Sequence, residues 1–135
     1  MSTEHPPSLS LTGSRQWTPW LIEQQASLVF TTYQAGKVFF LGIQPDGNLS
    51  VFERTFERCM GLCSIGKTLY MSSLYQLWRF ENTLEAGQTY QGYDALYVPQ
   101  MSYITGDLDI HDIVRSPHAA PIFVNTLFSD HQRDS

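Results

Sequence analysis

The sequence predicts an all-β chain: a partial β-propeller of about two to three blades of antiparallel meander, preceded by a short N-terminal helix. Three observations carry this. From position 27 onward, short β-branched and aromatic runs alternate with turn residues. A phrase of three apolar residues followed by two small polar ones recurs, as Leu28-Val29-Phe30-Thr31-Thr32, Leu69-Tyr70-Met71-Ser72-Ser73 and Ile122-Phe123-Val124-Asn125-Thr126. Its copies start 41 and then 53 residues apart, near the roughly 40–50-residue period of propeller blades. A β-sandwich would also give short strands with regular turns, but it does not explain the recurring phrase.

Taken in order, residues 1–16 read as a leader rich in Ser, Thr and Pro. A helix follows, with Thr18 as N-cap, Pro19 at its first position, and Trp17, Trp20 and Leu21 on one face. It ends near Gln25 or Ala26. Residues 27–33, 37–43 and 49–54 read as three strands of one meander. Pro45-Asp46-Gly47-Asn48 makes the second hairpin, since Pro fixes φ and Asp-Gly supplies positive φ. The pattern resumes with strands at 60–65, 67–76 and 77–81. The longer second interval is read as an insertion at 90–103, rich in Tyr, Gly, Pro and Gln. The propeller domain is placed at 17–129 and a polar tail at 130–135.

Composition excludes several functions. The chain is 42% apolar and 13% aromatic, the profile of a folded domain. Its net charge of −5 and two lysines offer no basic patch for nucleic acid. The N-terminus lacks the basic and apolar regions of a signal peptide, and the apolar run at 38–43 is too short to cross a bilayer. A cytoplasmic location is therefore expected, with Cys59 and Cys63 as reduced packing residues. Gly36-Lys37 lacks the rest of a phosphate loop, and no Gly-x-Ser-x-Gly nucleophile elbow occurs.

Polar chemistry concentrates in Thr105-Gly106-Asp107-Leu108-Asp109-Ile110-His111-Asp112-Ile113. If this stretch is an extended strand, Asp107, Asp109 and His111 share one side. Such a row can place carboxylate oxygens and an imidazole nitrogen around a divalent cation. His111, Asp112 and Asn125 are then ligand-binding candidates, Asn125 as the polar member of the third phrase. The opposing reading is structural, with these side chains tying turn backbone together. His5, His118 and His131 lie in tails or a loop and carry less.

Four stretches appear in order: Thr31-Thr32-Tyr33-Gln34-Ala35-Gly36-Lys37, Arg58-Cys59-Met60-Gly61-Leu62, Gly106-Asp107-Leu108-Asp109-Ile110-His111-Asp112 and Phe123-Val124-Asn125-Thr126-Leu127-Phe128-Ser129. Together they resemble the N-terminal part of a conserved hypothetical bacterial family, the domain of unknown function DUF4915, which is expected to form a β-propeller. The resemblance runs over residues 17–129 and stops after Ser129, which points to a truncation or a frame-shifted tail. It implies no activity. Three readings stand: a binding or scaffold module for a protein or small-molecule partner; a metal-dependent, lactonase-like hydrolase using Asp109 and His111; or a fragment without independent function. Unpaired blade edges would favour self-association.

Overall fold

The computed structural model describes residues 12–115, 120–126 and 131–133, the last three by backbone. Helix α1 spans Trp17–Gln24. Its N-cap is Gln16 and not Thr18, and no side chain caps it. Backbone takes that role: Ser14 and Gln16 carbonyls accept from the N–H groups of Trp17 and Trp20. Pro19 falls in the first turn, where a missing N–H costs nothing. Gln25 closes the helix in the left-handed region at φ 48°, donating its N–H to Ile22. Leu21 is buried where α1 meets the first sheet, while Trp17 and Trp20 stack at 6.0 Å.

The rest is β, in three antiparallel sheets that follow one another along the chain. Sheet I is β1 (Leu28–Thr32), β2 (Lys37–Ile43) and β3 (Leu49–Thr55). Sheet II is β4 (Leu62–Ile65), β5 (Thr68–Ser72), β6 (Gln76–Asn82) and β7 (Tyr97–Ile104). Sheet III is β8 (Ile113–Arg115), β9 (Pro121–Val124) and β10 (His131–Arg133). No closed barrel forms among the described residues, and the serial meanders match a partial propeller. No described helix is long and apolar enough to cross a membrane.

The β2–β3 hairpin turns where the sequence places it, but with positive φ at Gly47 alone and not at Asp46. Gly47 sits at φ +86°, and Asp46 Oδ1 accepts from the Asn48 N–H at 2.9 Å. Two boundaries differ from expectation. Residues 67–76 do not run as one strand but break into β5 and β6 at Ser73-Leu74-Tyr75, where the Ser73 N–H donates to the Gln76 carbonyl. The supposed insertion at 90–103 holds all but the last residue of β7, the fourth strand of sheet II. Pro99 hides that strand in the sequence, yet Pro is tolerated on an edge, and the ladder shifts register at Arg79/Phe80.

Sheet II lies between two cores. Leu69, Met71 and Phe80 join Val38 of sheet I and Cys59 in one cluster. Tyr70 and Leu77 join Leu108, Ile110, Ile113 and Phe123 in the other. Alternation along β5 produces this split, since adjacent side chains point to opposite faces. All five β5 residues are buried, so the strand is covered on both sides. Full burial of a side chain such as Met71 contributes about 1.5–3 kcal/mol.

The repeated small polar residues join one sheet to the next. Thr31 stands opposite Val38, as Ser72 stands opposite Leu77, so the two hold the same place in their sheets. Thr31 Oγ1 donates to the Met60 carbonyl at 2.6 Å, in the segment leading into β4. Ser72 Oγ donates to the Ile110 carbonyl at 2.8 Å, in the segment leading into β8. It also accepts from the Gly61 N–H at 2.9 Å, and it is fully buried. The third phrase is offset by one. Phe123 faces Ile113 as Met71 faces Leu62, so Asn125 takes the place of Ser73 and not of Ser72.

Candidate functional site

The segments that cross from the outer strand of one sheet to the inner strand of the next are built alike. The residue after β3, Phe56, donates its N–H to the Gly36 carbonyl at the end of the β1–β2 turn. The residue after β7, Thr105, donates likewise to Tyr75 at the end of the β5–β6 turn. Each segment then carries one non-glycine residue in the left-handed region, Arg58 at φ 52° and Asp109 at φ 51°. A buried residue follows each: Cys59, 0% exposed, and Ile110, 2% exposed. The carbonyls just before Arg58 and Asp109 accept from the N–H groups of Leu74 and Thr126.

This geometry relocates the acidic motif. Residues 105–112 are a crossing loop and not an extended strand, so strict alternation does not set their faces. Leu108, Ile110 and Ile113 anchor the loop in the core. His111 is turned outward, its side chain 55% exposed, with Nε2 4.0 Å from Asp109 Oδ2. The other carboxylate oxygen of Asp109, Oδ1, is buried and has no hydrogen-bond partner among the described residues. The Asp109 backbone carbonyl accepts from Thr126 Oγ1 at 2.7 Å.

The other candidates disperse. Asp107 is exposed in a bend. Asp112 turns its carboxylate back to the Ile113 N–H at 2.9 Å, and its carbonyl accepts from Val124. Asn125 is buried, 4% exposed. Among the described residues no group of three His, Cys, Asp or Glu is placed to hold a metal ion. His5 and His118 lie outside the described residues, as do Leu127-Phe128-Ser129 and the side chain of His131. Neither cysteine forms a disulfide, and burial pushes the Cys59 thiol up, away from the reactive thiolate.

Beside the crossing segment of sheet II's entry lies a depression of ≈ 250 Å³. Phe56, Glu57, Leu74, Tyr75 and Trp78 line it, and Tyr75 is among the most exposed aromatics. Trp78 is held by Phe56 at 5.4 Å and by its Nε1 donating to Ser73 Oγ at 2.9 Å. Neither this depression nor the exposed Arg58 stood out in the sequence. The equivalence of Arg58 and Asp109 resides in backbone φ, and the two side chains share no chemistry.

The family model described as a domain of unknown function, DUF4915, matches residues 15–131. A search of curated proteins and one of solved structures returned no match.

Proposed function

As the chain belongs to the DUF4915 family, whose description names no activity, we propose that it is a noncatalytic binding module that presents its crossing loops and neighbouring turns to a partner. One observation carries this reading. Small hydroxyls that would be the natural nucleophiles, Thr31, Ser72 and Thr126, are committed to backbone carbonyls. A fixed backbone frame is left displaying unlike side chains, Arg58 in one loop and Asp109 with His111 in the next. That division, rigid scaffold beneath and varied chemistry at the loops, is how binding surfaces are commonly built. The depression walled by Phe56, Tyr75 and Trp78 supplies apolar area beside those charges.

The second reading, a metal-dependent hydrolase, draws on the buried Oδ1 of Asp109 and the nearness of His111. A divalent cation held there would need further ligands beyond these two. Elemental analysis of the purified chain separates the readings. The binding module carries no stoichiometric divalent cation. One equivalent of metal, lost in His111→Ala with the fold intact by circular dichroism, would support the hydrolase reading instead.

A further inference from the structure

We propose that the outer edge of β1 accepts an added strand from a peptide partner: an uncharged, extended segment running antiparallel to β1 and chemically like β4. Sheet II shows what belongs there. By register, Leu28, Val29, Phe30 and Thr31 hold the places of Leu69, Tyr70, Met71 and Ser72. In sheet II, β4 lies along that side of β5, Leu62 facing Met71 and Cys63 facing Tyr70. In sheet I, β1 has a strand on one side only among the described residues. The consequence is visible in burial: β5 is covered throughout, whereas Leu28 is exposed and Val29 and Phe30 are half-buried.

The hydrogen-bonding groups on this edge follow from the same equivalence. Ser72 directs its N–H to the Gly61 carbonyl and its own carbonyl to the Met60 N–H, both toward β4. Alternation then turns the N–H and C=O of Thr31 and Val29 toward the open edge. Edges left open are normally guarded by charge or proline. β3 carries Glu53 and Arg54, and β7 carries Pro99. β4 and β8 lie against each other. No charged residue or proline occurs between Glu23 and Lys37, so β1 is unguarded. Backbone pairing supplies affinity in such strand addition, and alternate side chains supply selectivity. The backbone edge is distinct from the loop side chains invoked above, so either proposal can fail without the other.

The test uses a fluorescent peptide of the chain's own Gly61–Gly66 sequence, which carries no charged side chain, titrated under reducing conditions. Saturable binding is expected, weakened at least about tenfold by Val29→Pro, which removes one outward donor worth about 1.4 kcal/mol and no β1–β2 bond. The same peptide with Cys63→Pro should also fail to bind wild-type protein, a control that does not touch the fold. No saturable binding, or binding indifferent to both prolines, overturns the proposal. So does a dimer in sedimentation analysis that Val29→Pro abolishes and the peptide does not dissociate, because a second copy then occupies the edge.

Discussion

Thr68 Oγ1 donates to Glu81 Oε1 at 2.7 Å across the β5–β6 pair, and Arg79 approaches the same oxygen at 2.8 Å. The threonine hydrogen bond, more than the arginine, holds the Glu81 carboxyl below its ordinary 4.5, against an opposing contribution from desolvation. The sign of the pH effect follows. A carboxylate depressed in the folded state contributes stability above the unfolded value, and that contribution disappears as pH falls through the folded one. Glu81→Gln is therefore expected to flatten the acid limb of the thermal-unfolding profile between about pH 5 and about pH 3. Profiles of wild type and variant that run parallel through that window would show that Glu81 has no such role. The side chain is partly exposed and the pair is a surface one, so the effect is small.

The β1–β2 hairpin shows how an element can be fixed by one position. Gly36 sits at φ +62°, and a Cβ there would meet the Phe56 carbonyl oxygen at 3.1 Å. That oxygen belongs to the crossing segment which the Gly36 carbonyl itself anchors. Gly36→Ala should cost about 1–2 kcal/mol from left-handed strain alone, with the backbone contact adding to it. Urea unfolding measures this, and an unchanged midpoint would contradict the tight turn-to-loop approach. Elements with strong local signals were legible in the sequence: β2, β3 and their Asp-Gly turn, and the recurrence that relates β1 to β5. β7 was not, because a proline edge strand with a register shift lacks alternation and borrows its order from β6. Residues 105–112 misled for the opposite reason. Their apolar positions alternate like a strand's, but Leu108 and Ile110 are anchors of a loop that turns at Asp109.

Across the whole molecule, the joints between sheets are where the recurring hydroxyls act. The sequence displayed the hydroxyl phrase but not its use, since the partners of Thr31 and Ser72 lie 29 and 38 residues away. It displayed Asp109 and His111 but not the left-handed backbone that Arg58 shares with Asp109, nor the Phe56–Trp78 depression. The proposed binding at the loops would require these joints to be rigid. Ser72 is the most exacting joint, because it accepts from Gly61 and donates to Ile110 while fully buried between sheets II and III. Removing its hydroxyl strands a buried donor and a buried acceptor, each worth about 1–3 kcal/mol. The most direct measurement is the free energy of unfolding of Ser72→Ala against wild type by urea titration. A loss of about 2–3 kcal/mol with a single cooperative transition is expected if hydroxyls lock successive sheets. A loss under about 0.5 kcal/mol, the level of an ordinary surface substitution, would contradict it.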